Sequence, residues 1–127
     1  KNNIKKISMN ILSQIIIGFV ALLHLYFLYL EMFAWTTKAP KVFTNFPKDL
    51  FEKTKAMAAN QGLYNGFLAA GLIWSLFIYD EIWSRNIALF FLNCVLVAAI
   101  YGAYSVSKRI FYVQGIPAIL GILSLFL

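Results

Sequence analysis

Four apolar segments, each long enough to cross a lipid bilayer as a helix, limit the folds that this chain can adopt. They run over residues 11–30, 58–79, 87–104 and 110–127. The first has 20 residues, and a helix of about 20 residues spans roughly 30 Å, the thickness of the hydrocarbon layer. Strands of a membrane barrel would be shorter and would alternate in polarity. We therefore predict an all-α fold, an up-down bundle of four transmembrane helices.

The composition is typical of a membrane protein. Of the 127 residues, 61% are hydrophobic and 13% are charged, and the mean hydropathy is +0.75, whereas soluble domains carry about 25% charged residues. A chain of this length is expected to form a single domain, residues 1–127. The net charge of +6 does not indicate nucleic-acid binding, because the lysines flank apolar segments and form no basic face with interleaved aromatics.

The positions of lysine and arginine predict an orientation in the cell membrane. Four of these residues lie on the side that holds the N-terminus and seven on the opposite side. Because cytoplasmic loops are enriched in Lys and Arg, the long first connection is predicted to be cytoplasmic in a multi-pass protein surrounded by membrane lipids. The run after Lys6 is too long for a signal-peptide core and is interpreted as the first span. The two sets are Lys1, Lys5, Lys6 and Arg85, and Lys38, Lys41, Lys48, Lys53, Lys55, Lys108 and Arg109.

The long first connection, residues 31–57, is predicted to contain an interfacial amphipathic helix. Thr44 and Asn45 can cap a helix that has Pro47 in its first turn. Apolar residues follow at helical spacing, as expected for a helix lying on a membrane surface. The alternative is that this segment extends the second span above the membrane. The residues at helical spacing are Leu50, Phe51, Thr54 and Met57.

Hydrogen-bonding side chains within the spans fall toward one half of the bilayer. His24 and Glu31 share a face of the first span, since seven residues rotate a helix by roughly 700°. Gln61 and Asn65 share a face of the second span at a spacing of four residues. Polar groups are costly in hydrocarbon, so the cluster predicts a pocket or half-channel open toward the long connection. The predicted ligand-binding residues are His24, Glu31, Gln61, Asn65, Tyr101 and Gln114.

A purely structural role is the alternative for the same residues. Polar side chains of membrane helices hydrogen-bond across helices at about 0.6 kcal/mol on average and hold a bundle together. Glu31 lies at a span boundary, where pairing with Lys38 or Lys41, or solvation, would suffice. His24 lies deeper and is the better candidate for function.

Small residues predict close helix packing. Gly62, Gly66 and Ala70 recur every four residues on the second span, a spacing that lets helix backbones approach closely. We interpret them as contacts within the bundle, and a homodimer seam is the alternative. Pro117 is expected to kink the fourth span beside Gln114.

The sequence lacks the motifs of several catalytic classes. It has no HExxH helix, no GxSxG turn and no P-loop, which makes a metalloprotease, a serine hydrolase or a nucleotide-driven pump unexpected. One histidine and one cysteine cannot build a structural zinc site. Cys94 has no partner for a disulfide. No metal ion, no cofactor and no catalytic residue are therefore predicted.

Three stretches resemble a known family. They are HLY with YLEMFAW between His24 and Trp35, NQGLYNGFLAAG beginning at Asn60, and VQGIPA beginning at Val113. From Met9 onward the chain resembles the small bacterial integral-membrane family catalogued as domain of unknown function number 1304. The resemblance implies a four-helix membrane protein and carries over no catalytic role.

Three functions remain compatible with these features. The first is binding or carrying a small amphipathic ligand in the polar pocket, with an ion-coupled transporter as a variant. The second is an accessory membrane subunit whose polar groups serve only assembly. The third is a membrane enzyme that performs proton-transfer chemistry on a lipid or isoprenoid, with His24 or Glu31 as acid or base.

Overall fold

The computed structural model describes residues 9–127, so the predictions for Lys1, Lys5 and Lys6 lie outside the described residues. The described chain is helical, and two of its helices end or begin in a wider π-helical turn. The π-helical turns are Tyr29–Phe33 and Phe111–Gly115. The α-helices are α1 (Ile11–Leu28), α2 (Ala39–Val42), α3 (Leu50–Lys53), α4 (Lys55–Phe77), α5 (Glu81–Ser105), α6 (Lys108–Ile110) and α7 (Ile116–Ser124).

The all-α prediction is confirmed, and two helical stretches are long and apolar enough to cross a membrane. They are Ile11–Phe33, with 23 residues, and Glu81–Ser105, with 25 residues. Only 33% and 22% of their most apolar windows are buried, so most of both surfaces faces outward. The other two predicted spans correspond to α4, which carries several polar side chains, and to the series from α6 to α7.

Contacts divide the described chain into two compact units. Residues 9–21 and 70–127 form the first, called the terminal unit, and residues 22–69 form the second, called the central unit. The core of the terminal unit consists of fully buried aliphatic side chains, to which Ile17, Val20, Leu72, Leu92 and Val95 belong.

Hydroxyl groups join helices within the terminal unit. The hydroxyls of Ser13 and Ser124 lie 2.7 Å apart, and the amide of Asn10 donates to the Ser124 carbonyl at 3.0 Å. The Ser84 hydroxyl donates to the Ser75 carbonyl at 2.7 Å. Short side chains of this kind let helix backbones approach and satisfy their own polar atoms.

The start of α5 differs from the prediction. The third span was predicted to begin at residue 87, but α5 begins at Glu81. The reason is a helix cap: Asp80 has extended backbone, and its carboxylate accepts a hydrogen bond from the Trp83 backbone N–H at 3.0 Å. Such a cap satisfies a donor that the first helical turn otherwise leaves unpaired.

The connection after the first span, in the central unit, folds around an aromatic cluster. The Trp35 ring centre lies 4.8 Å from that of Phe51, 5.6 Å from that of Phe46 and 5.8 Å from that of Phe43. The indole N–H of Trp35 donates to the Thr54 hydroxyl at 3.0 Å. These rings pack with the buried residues Leu30 and Ala39.

The prediction of one interfacial amphipathic helix capped by Thr44 and Asn45 is wrong, because this segment folds around the aromatic cluster. The structure contains two one-turn helices instead, α2 and α3, and the residue before α3 is Asp49. The aromatic side chains turn inward to pack on one another, which a single straight helix along a membrane surface would not allow. The alternative, that this segment extends the second span, agrees better with the structure, since α4 begins at Lys55 and the second span was predicted from residue 58.

Candidate functional site

A carboxylate and an amide meet between two helical segments of the central unit. The Asn65 side-chain amide on α4 donates a hydrogen bond to Glu31 Oε1 at 2.7 Å. Asn65 is 7% exposed, and Glu31 is half-buried. The 2.7 Å distance is at the short end of the range for N–H···O hydrogen bonds, so this bond fixes the orientation of both groups.

Two glycines allow the helical segments to come this close. A Cβ on Gly62 would lie 2.7 Å from Met32 Cγ and 3.2 Å from the Met32 backbone nitrogen. A Cβ on Gly66 would lie 2.7 Å from Leu28 Cδ1. The predicted packing role of Gly62 and Gly66 is therefore confirmed, and it is what brings Asn65 within reach of Glu31.

The backbone around Glu31 is unusual. Tyr29–Phe33 is a π-helical turn, a conformation that is rare and frequently occurs at functional sites. In the terminal unit, the π-helical turn Phe111–Gly115 contains Gln114, and the Ile116 N–H donates to the Phe111 carbonyl. Pro117 is in the first turn of the helix that follows. Both π-helical turns thus carry a residue that the sequence had marked as polar and functional.

His24 is enclosed by protein. It is 0% exposed on α1, and its ring contacts that of Phe27 edge to face, with ring centres 5.6 Å apart. A ligand could reach this imidazole only after a rearrangement of the surrounding side chains.

The remaining predicted residues lie in more open positions. Gln61 is exposed, because the buried stripe of α4 runs through Ala58, Gly62, Asn65 and Ala69, and Gln61 falls beside it. In the terminal unit, Tyr101 is 68% exposed and Gln114 is half-buried. The structure therefore joins two of the six predicted residues, Glu31 and Asn65, by a direct hydrogen bond.

The central unit also contains a cavity that the sequence prediction missed. It has a volume of about 700 Å³ and lies in the connection between the first span and α4. Its lining includes two lysines, three threonines and a glutamate around the ring of Phe51. The only signal in the sequence is the alternation of Lys and Thr with aromatic residues over residues 35–54. That pattern could not reveal a cavity, because the cavity exists only once the aromatic rings have packed.

No group of three or more His, Cys, Asp or Glu side chains in residues 9–127 is placed to hold a metal ion. Cys94 is a half-buried free thiol on α5.

The fold and the site define a small helical protein with two membrane-length apolar helices and a carboxylate–amide pair on adjoining helical segments. Residues 18–126 match the family described as protein of unknown function (DUF1304), and the chain belongs to this family. An uncharacterized protein, YpaA of Lactococcus lactis subsp. lactis (strain IL1403), is 34% identical over 120 residues, which cover 93% of this chain and 99% of that protein. The resemblance drawn from the three sequence stretches is thus confirmed. No solved structure matches the chain significantly.

Proposed function

We propose that the protein is an integral membrane protein with four transmembrane helices that binds or carries a small amphipathic ligand. The ligand's polar end is held at the Glu31 carboxylate and the Asn65 amide. The observation that carries this proposal is the 2.7 Å hydrogen bond between these groups at the end of a helix long and apolar enough to cross a membrane.

The outer surface supports the membrane location. Large apolar side chains such as Ile15, Phe19 and Leu22 on α1, and Phe90 and Val97 on α5, are more than half exposed. A water-soluble protein rarely exposes apolar surface on this scale. The connection between the first span and α4 contains four lysines, Lys38, Lys41, Lys48 and Lys53, which favours a cytoplasmic location by the positive-inside rule.

The polar pair has the properties of a ligand site. An ionisable group within a membrane helix is costly and generally has a function. Glu31 is half-buried, so part of the residue remains accessible. A ligand with an amine or hydroxyl group can donate to the second oxygen of Glu31, and the second N–H of the Asn65 amide can donate to an acceptor of the same ligand. The contributions of His24, Gln61, Tyr101 and Gln114 stay predictions.

A structural role is the second candidate, and a specific observation favours it. Glu31 and Asn65 bond to each other, and His24 is completely buried. Polar groups that satisfy each other's hydrogen bonds can serve only to hold the end of the first span against α4. The protein would then be an accessory subunit that acts through a protein partner.

Mass spectrometry of small molecules that co-purify with the protein in mild detergent separates the two candidates. Asn65→Leu removes the amide of the site, and Asn60→Leu makes the same change at an exposed position of the same helix. We expect a species that is retained by the wild type and by Asn60→Leu and is lost from Asn65→Leu, whose helix content by circular dichroism is unchanged. Identical profiles for all three proteins, with a lower melting temperature for Asn65→Leu alone, would contradict ligand binding and support the structural role.

A further inference from the structure

We propose that the cavity in the connection between the first span and α4 binds the phosphate-bearing headgroup of a membrane lipid, and that an ethanolamine headgroup fits it best. This site consists of residues other than Glu31 and Asn65. It rests on the membrane location proposed above but not on the Glu31–Asn65 site.

One wall of the cavity is fixed by packing. Phe51 is 3% exposed and lines the cavity while its ring packs 4.8 Å from that of Trp35. Trp35 is in turn hydrogen-bonded to Thr54, whose hydroxyl also donates to the Leu50 carbonyl at 2.8 Å. The lysine, threonine and glutamate side chains of the lining are exposed, so the cavity is open to a ligand that approaches from the membrane surface.

The charges of the lining select the chemistry of the ligand. Lys41 and Lys48 supply two ammonium groups, and the hydroxyls of the three lining threonines can donate to an anion between them. Glu52 adds one carboxylate, which would repel a simple anion but would accept hydrogen bonds from an ammonium group. A phosphodiester with a neighbouring primary ammonium satisfies both sets of groups. The lining threonines are Thr36, Thr37 and Thr44.

The position of the cavity in the chain favours a lipid over a soluble phosphate compound. The connection follows directly after Phe33, where the first membrane-length helical stretch ends, so the cavity belongs at the level of the lipid headgroups. Pro40 and Phe51 give it an apolar wall for the part of the lipid next to the phosphate. Lysines at this level can pair with the phosphate groups of lipid headgroups.

The test is a titration of the full chain in nonionic detergent with dihexanoyl phosphatidylethanolamine. Trp74 and Trp83 are exposed, so Trp74→Phe/Trp83→Phe leaves Trp35 as the single indole beside the cavity. We expect a saturable change in Trp35 fluorescence.

Lys41→Gln/Lys48→Gln should weaken binding about thirtyfold, because each substitution removes a hydrogen bond to the phosphate. The matched control is Lys53→Gln/Lys55→Gln, which removes the same charge from residues that do not line the cavity. This control should change the affinity for the lipid by less than about twofold. If the double variant does not fold, Lys48→Gln alone replaces it, because Lys48 lies outside any helix.

Three further arms identify the source and the chemistry of the ligand. Dihexanoyl phosphatidylcholine, which lacks N–H donors, should bind more weakly than the ethanolamine lipid, and Glu52→Gln should remove that preference. Inorganic phosphate should not displace the lipid. Glu31→Gln should leave the titration unchanged, which keeps this site separate from the proposed function. The proposal is overturned by a titration that does not saturate, by equal losses in the two lysine pairs, or by displacement with inorganic phosphate.

Discussion

Close contact at single residues decides whether the Glu31–Asn65 pair can form. Gly62 lies against the backbone of Met32, and Gly66 lies against the side chain of Leu28. A side chain at Gly62 would push the two helical segments apart, whereas at Gly66 the end of the Leu28 side chain could move aside. The hydrogen bond of 2.7 Å therefore depends on Gly62, which takes no part in it.

Gly62→Ala should destabilise the protein by about 1–3 kcal/mol, since its methyl group would overpack the contact with Met32. Gly18→Ala is the matched control, because a Cβ at Gly18 meets nothing within 4 Å. Alanine is the better helix former by about 1 kcal/mol, so Gly18→Ala should unfold at the same or a higher temperature than the wild type. Thermal unfolding of the three proteins in one detergent measures both changes. Equal melting temperatures for Gly62→Ala and Gly18→Ala would contradict the close contact.

Part of the site could be predicted from single residues. The cost of polar groups in apolar segments indicated six candidates that include Glu31 and Asn65, but it favoured His24 over Glu31. Periodicity placed Gln61 with Asn65 on one face, but the contact stripe of α4 runs through Gly62, and Gln61 is exposed. Which side of a helix meets its neighbour depends on the neighbour, and local spacing does not contain that information.

For the helices, long apolar segments predicted where a helix would form. They did not predict the residues at which each helix begins and ends. The third span was predicted from residue 87, but α5 begins at Glu81 because Asp80 caps it. The expected interfacial helix is replaced by α2, α3 and an aromatic cluster. Packing of Trp35 against rings eight to sixteen residues later overrides the weak helical period of the connection.

The cap of α5 gives a prediction at this scale. Asp80→Ala removes the acceptor of the Trp83 N–H and should destabilise the protein by about 1 kcal/mol. Asp49→Ala is the matched control, since Asp49 precedes α3 but makes no side-chain cap hydrogen bond. Chemical unfolding in detergent should therefore show a clearly larger loss for Asp80→Ala. A loss of the same size in both variants would mean that the cap of α5 adds no stability.

For the complete protein, the proposed function requires that the chain spans a membrane. Two helical stretches, Ile11–Phe33 and Glu81–Ser105, have the length and composition to cross it. The proposal of four spans adds α4 and the series from α6 to α7. If α4 crosses the membrane, the connection before it and the turn after it face opposite compartments. This consequence holds whatever ligand the protein binds.

Cysteine labelling across α4 is the most direct test of that claim. The native thiol is first removed by Cys94→Ser. Thr44→Cys and Ile82→Cys then place single thiols at exposed positions on either side of α4. The protein should stay in the membrane pellet after alkaline carbonate extraction. A membrane-impermeant maleimide should label Ile82→Cys in intact cells and Thr44→Cys only in inverted vesicles. Release of the protein by carbonate, or labelling of both positions from the same side, would contradict the four-span membrane protein.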